Sequence, residues 1–217
     1  MKKSYLVILI ITFCSLSHGQ SIRGWGGKVG VNILKEDWNH SFEYYYIGIA
    51  KPFPGINAVI FIECQYNPTF LFVVEAAYTK SRINLESNST IAHPDCSCIF
   101  GDWVSKKSSL DISILGKIKS EQNIFSPYLL IGPSISFTLE NTTTGYYSLP
   151  FNDNRNIYDE ISRLRIGIKV GAGTEVEFQT LNLLFEIIFQ KEINNLYETD
   201  ELKISSSSWN FRFGFLL

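Results

Sequence analysis

The chain has 217 residues, a formal net charge of −2, 14% aromatic residues and 18% charged residues. That balance offers no basic surface for a nucleic acid, and the charged share lies below the roughly 25% of an ordinary soluble domain. After the first twenty residues no apolar run approaches the roughly twenty needed for a membrane-crossing helix, so any crossing must be made by strands.

Residues 1–19 read as a cleaved export signal. Lys2 and Lys3 precede an apolar run over residues 5–13, and Ser17-His18-Gly19 supplies a cleavage site before Gln20. The run is too short for a helical anchor, and Phe13 is too bulky to precede a lipidated Cys14. Residues 20–217 fit one domain.

Side chains of a strand alternate between its two faces, so each strand divides into two classes. The first predicted strand sets Trp25, Gly27, Val29, Val31 and Ile33 against Gly24, Gly26, Lys28, Gly30 and Asn32. A polar, aromatic stretch over 34–55 reads as a loop. The second strand, 56–66, places Ala58, Ile60, Ile62 and Cys64 opposite Glu63. Asn67-Pro68 turns the chain into the third, where Phe70, Phe72, Val74, Ala76 and Tyr78 alternate with Glu75 and Thr79.

A long loop is expected over 83–105, carrying Cys96 and Cys98. Cys-x-Cys has no second ligand pair at zinc spacing, and a disulfide between them would be strained. No metal is expected. The fourth strand sets Leu110, Ile112, Ile114 and Ile118 against Ser109, Asp111, Ser113, Lys117 and Lys119. The fifth, 127–139, sets Leu129, Ile131, Ile135 and Phe137 against Gly132, Ser134, Ser136 and Thr138, with a bulge expected at Gly132-Pro133.

A further loop precedes the sixth strand, with a short helical turn at 159–161. This strand alternates Leu164, Ile166, Ile168, Val170, Ala172, Val176 and Phe178 with Arg163, Arg165, Gly167, Lys169, Gly171, Gly173, Glu175 and Glu177. After a tight turn near Thr180, the seventh sets Leu183, Phe185, Ile187 and Phe189 against Glu186 and Gln190. Residues 192–206 read as a polar loop. The last strand sets Trp209, Phe211, Phe213, Phe215 and Leu217 against Ser208, Asn210, Arg212 and Gly214.

Long polar connections follow odd strands and short ones follow even strands. That asymmetry predicts an all-β, closed antiparallel transmembrane β-barrel of about eight strands, with short periplasmic turns and longer extracellular loops. A soluble lipocalin-like barrel would turn the apolar class inward around a small ligand. Three features favour lipid outside. The polar class is rich in glycine, which a narrow lumen can use and a solvated face cannot. Aromatics gather at strand ends, as interfacial girdles do. The sequence also closes on an alternating aromatic strand.

With lipid outside, the lumen would hold Lys28, Lys117, Lys119, Arg163, Arg165, Lys169 and Arg212 against Glu63, Glu75, Asp111, Glu175, Glu177 and Glu186. Buried charges persist when paired, and an eight-stranded barrel is only wide enough for its own side chains. A filled lumen is therefore expected rather than an ion pathway.

Several segments resemble the PorT-like outer-membrane β-barrel proteins of Bacteroidetes-type bacteria. Gly27-Lys28-Val29-Gly30-Val31-Asn32 is similar to their first strand. Pro127-Tyr128-Leu129-Leu130-Ile131-Gly132-Pro133-Ser134 is similar to the fifth, and Gly171-Ala172-Gly173-Thr174-Glu175-Val176-Glu177-Phe178 to the sixth. Residues 181–196 are similar to the seventh strand and the Asn-rich step after it. The departure is 34–55, with Tyr44-Tyr45-Tyr46 and Pro52-Phe53-Pro54. The resemblance implies an outer-membrane barrel and little about activity, although the founding member is associated with protein secretion.

The expected role is structural or adhesive, or one in an envelope assembly, with loops as the recognition surface. Tyr146, Tyr147, Phe151 and Tyr158 in the loop 141–159, and Trp103 near Cys96, are the candidate contacts. Outer-membrane lipid, an envelope protein and, through the C-terminal strand, the barrel-assembly machinery are the expected partners. The alternative is a small pore or transporter for hydrophobic compounds. No catalysis and no cofactor are expected: beyond the signal, His40 and His93 lie near Asp37 and Asp95 without a recognisable nucleophile motif.

Overall fold

A computed structural model describes residues 21–40, 49–86, 103–120, 124–144, 163–178, 181–198 and 202–217. The signal segment, His93, Cys96, Cys98, the turn at 159–161 and the residues Tyr146, Tyr147, Phe151 and Tyr158 lie outside them.

The described residues form eight long strands: β1 (Ser21–His40), β2 (Ile49–Gln65), β3 (Phe70–Glu86), β4 (Trp103–Lys119), β5 (Phe125–Thr144), β6 (Leu164–Phe178), β7 (Leu181–Glu192) and β9 (Leu202–Leu216). A two-residue strand, β8 (Tyr197–Glu198), pairs with β9 outside the ring. Each long strand is antiparallel to its sequence neighbour, and β1 pairs with β9 from Gly26↔Leu216 to His40↔Leu202. The sheet therefore closes on itself, leaving no long unpaired edge.

The apolar class faces outward. On β2, Ile60 is 70% exposed while its neighbours Val59 and Phe61 are 3% exposed. A lipocalin-like barrel would show the reverse. Near its upper edge the outward apolar band carries Ile33, Tyr78, Leu110, Phe137, Leu164, Phe189 and Trp209, and near its lower edge Trp25, Tyr66, Phe70, Phe125, Phe178 and Phe215. Aromatics thus mark both of its edges, and at the upper one Phe189 and Trp209 lie 4.9 Å apart. These are the two interfacial girdles of a membrane barrel.

The strands outrun that band. A tilted strand needs about 9–11 residues to cross a bilayer, whereas β1 and β5 have 20 each. Segments expected as loops are wall instead: 34–40, 49–55, 83–86, 103–105 and 202–206 all belong to strands. Leu34 and Glu36 point inward there, and Lys35 and Asp37 outward.

Two local expectations also change. Register is unbroken across Gly132-Pro133, with Ser113↔Ser134 and Gly116↔Ile131 on β4 and Pro133↔Ile168 on β6. The irregularity lies higher, where Ser109 pairs with Thr138 but Ser108 with Glu140. The Asn67-Pro68 turn forms as expected. Asn67 Oδ1 accepts the backbone N–H groups of Thr69 and Phe70 at 3.0 and 2.7 Å, an Asx turn that reverses the chain in four residues.

Candidate functional site

The lumen is built from the inward class of all eight long strands, and it is layered. At the periplasmic end, Arg23 bonds to Glu63 and Glu175. Lys117 Nζ donates to Glu63 Oε2 at 2.8 Å and Glu175 Oε2 at 3.2 Å, while Lys119 Nζ lies 3.2 Å from Glu175 Oε1. Asn182 Nδ2 donates to the same Glu175 Oε1 at 2.9 Å.

The next layer centres on two carboxylates. Lys28 Nζ donates to Glu75 at 2.7 Å and Glu186 at 2.8 Å. Arg212, the cross-strand partner of Glu186, donates to Glu75 Oε2 at 3.1 Å. Tyr128 OH donates to Glu186 at 2.9 Å, and Lys169 Nζ donates to Ser113 Oγ at 3.3 Å. The Lys28 and Lys117 ammoniums also sit over the rings of Phe61 and Tyr128, at 4.3 and 4.2 Å.

Apolar side chains fill the space between these charges: Phe61, Val73, Leu115, Tyr128, Leu130, Leu184, Ile188 and Leu216 form one buried cluster. Glycines make the room. A Cβ on Gly173 would stand 2.6 Å from the Tyr128 ring, and one on Gly214 2.6 Å from Lys28 Cγ.

The upper half is mostly neutral and polar. Asn32 Nδ2 donates to its cross-strand partner Asn210, Ser81 Oγ to Asn32 Oδ1, and Asn57 Nδ2 to Thr79 Oγ1, at 2.9, 2.7 and 2.7 Å. Thr79 Oγ1 donates to Asp111 at 3.1 Å. Above them Arg165 bonds to Glu192, which also accepts from Ser206 Oγ at 2.6 Å. A cavity of about 30 Å³ lies here, lined by Asn32, Asp111, Lys107, Arg165, Glu192 and other polar groups. It has room for a water molecule and not for an organic ligand.

Of the expected lumen charges, Lys28, Glu63, Glu75, Asp111, Lys117, Arg165, Lys169, Glu175, Glu186 and Arg212 are all buried inside. Arg163 and Glu177 are not: both are exposed, Arg163 just before β6 begins and Glu177 one residue before it ends. Four charged residues join that strict alternation did not assign. Lys107, Glu36 and Glu192 sit on the strand extensions. Arg23 enters through a register shift between Ile22 and Gly24, which makes it the extra residue of β1 and turns it off the outward class. Charge stays close to balance among the described residues.

Trp103 begins β4 at the outer rim, and His40 ends β1 there. Among the described residues no group of three His, Cys, Asp or Glu side chains is placed to hold a metal ion.

Comparisons with known proteins agree with this geometry. The crystal structure of Neisserial surface protein A is 13% identical with a TM-score of 0.50, covering 92% of this chain and 99% of that one. The outer membrane protein OprG from Pseudomonas aeruginosa is 10% identical with a TM-score of 0.50, covering 90% and 97%. At such identity the likeness is one of fold. Comparison with curated protein sequences gives no match. Residues 19–198 match the family model of the outer membrane protein beta-barrel domain. The chain belongs to that family and is a protein of the outer membrane.

Proposed function

We propose that this protein is a non-conducting outer-membrane barrel with a structural or adhesive role, or one in an envelope assembly, and that its long outer connections are the recognition surface. One observation carries the first part. Lys28, Glu63, Glu75, Lys117, Lys169, Glu175, Glu186 and Arg212 close the lumen, each 5% exposed or less. An open pathway would need these groups solvated; here seven of them are bonded to one another, and Lys169 donates to Ser113. A fixed, filled barrel suits a scaffold for loops better than a conduit for solutes.

Extension of the strands above the apolar band supports the second part, since it carries the upper ends of β1, β3, β5 and β7, where the long connections begin, beyond the lipid-facing band. The PorT-like resemblance favours the secretion-associated form of this role, with β9 as the strand offered to the assembly machinery. Catalysis has no place in this reading, and replacing both His40 and His93 should leave envelope phenotypes unchanged.

The decisive experiment is conductance of the refolded protein in planar bilayers. The expected result is a quiet membrane; steady unitary currents would favour the small pore or hydrophobic transporter. Excision of 145–162 then tests the loops. The cut should spare residues 141–144, which are part of β5. Surface binding should fall while the barrel still folds.

A further inference from the structure

The outward face of the wall is not uniform above the apolar band. On β1, Lys35 and Asp37 neutralise each other at 2.7 Å. On β9 the corresponding outward positions include Ser205 and Ser207. On β3 and β4 they are cationic. Lys80 and Arg82 follow Tyr78 on β3, and Arg82 stands directly opposite Lys106 on β4.

Two like charges facing each other across a strand pair are destabilising, and no described carboxylate forms an ion pair with either. Lys80 and Lys106 are exposed, with no ion pair among the described residues. Arg82 is held in place by contacts that leave its charge intact. Its Nε donates to Asn84 Oδ1 at 3.1 Å, and its guanidinium lies 4.9 Å from the centre of the Phe53 ring on β2. Glu140 on β5 is the flanking carboxylate; it lies opposite Ser108 and accepts a hydrogen bond from Thr142.

Height identifies the counter-charge. Tyr78 marks the upper edge of the lipid-facing band, and Lys80 is two residues above it, about 7 Å along the strand and less along the membrane normal because strands tilt. The three cations therefore stand at headgroup depth. Ile56 stands beside Lys80 on β2, and below the three cations Tyr78 and Leu110 continue the apolar face. A cationic cluster on top of an apolar wall matches an amphiphile with an anionic head and acyl chains.

We propose that Lys80, Arg82 and Lys106, with Phe53 beneath Arg82, form a binding site for the phosphate groups of an outer-leaflet lipid. Arg82 supplies a planar fork and the two lysines supply point charges for phosphate oxygens. The lipid's chains run down over Ile56, Tyr78 and Leu110. The site lies on the outer wall and does not depend on what the long connections recognise.

The test uses the mature protein refolded into phosphatidylcholine bilayers, with tracer amounts of a bisphosphorylated lipid A or its dephosphorylated form, both spin-labelled. Association is read from the lipid's motional restriction at the protein surface. The protein should prefer the phosphorylated lipid by about tenfold or more, and the preference should shrink as salt is raised. Lys80→Gln/Arg82→Gln/Lys106→Gln should abolish it, whereas Lys35→Gln should retain it. If the triple variant does not refold, Lys80→Gln/Lys106→Gln keeps the Arg82–Phe53 contact and should lose most of the preference. Equal association of the two lipids, or a preference unchanged in these variants, overturns the site. So does a preference that survives in the variants but falls in Lys35→Gln. Binding of a soluble sulfated polysaccharide by the same three residues without any lipid preference would overturn the lipid assignment.

Discussion

Glu75 shows what each lumen charge does. It accepts from both Lys28 and Arg212 and is almost wholly buried, so both cations depend on it. Removing one partner of a buried ion pair leaves an uncompensated charge, at a cost of about 3–5 kcal/mol. Glu75→Gln should lower the unfolding free energy by about that much in a urea titration of the refolded barrel. Glu177→Gln, at the open mouth, should leave it unchanged; equal losses would mean that the pairing in the lumen is not what holds the charges. Gly173 makes a second case. Its missing Cβ is the space taken by the Tyr128 ring, but the Phe185 carbonyl stands equally close, at 2.6 Å. Gly173→Ala should therefore cost about 1–3 kcal/mol. Tyr128→Leu should recover part of that loss in a double-mutant cycle, and only part, because backbone cannot move aside as a ring can. Complete additivity would place the two residues out of contact.

Along a strand, the same alternation has two meanings separated by the upper girdle. On β9, Phe213 faces lipid at mid-height and packs 5.0 Å from Phe185, while Ser205 lies on the same face above the band. Arginine at the bilayer midplane costs about 2–4 kcal/mol and far less beyond the interface. Phe213→Arg should thus destabilise the barrel by that amount, and Ser205→Arg hardly at all; matched effects would remove the boundary at Trp209. The boundary also explains what the sequence made legible. Alternation was plain in 164–178 because lipid demands apolar residues on one face, and β6 forms there as expected. It faded in 34–37 because neither face stays apolar: Leu34 and Glu36 point inward and Lys35 and Asp37 outward, so the hydrophobic contrast is lost. Arg23 was illegible for a different reason: a register shift is a property of pairing with β2, and a strand read alone does not contain it. The filled lumen followed from parity, whereas the outer basic patch needed the register that sets Arg82 beside Lys106.

At the scale of the whole molecule, closure is the condition for everything else. The seam between β1 and β9 joins the two ends of the described chain, so no local preference can form it before the six other long strands are in place. The lumen network depends on that seam. Lys28 comes from β1, its ligand Glu186 from β7, and Arg212 from the β9 strand between them. An open sheet would expose these charges to lipid or water, and their pairing would no longer offset their desolvation. The seam can be tested directly with Cys64, Cys96 and Cys98 replaced by serine. Val29 and Phe213 are cross-strand partners on β1 and β9, while Phe185 is the next residue round, on β7. Partners on adjacent strands bring Cβ atoms within about 5.5 Å, near the reach of a disulfide, whereas two strand spacings amount to about 9.6 Å. Oxidation of Val29→Cys/Phe213→Cys in the folded state should give an intramolecular bond seen as a mobility change in a denaturing gel. Val29→Cys/Phe185→Cys should give none. A bond that forms only between molecules, or equally in both pairs, would mean that the barrel is not closed at this seam, and the paired lumen charges would then need another explanation.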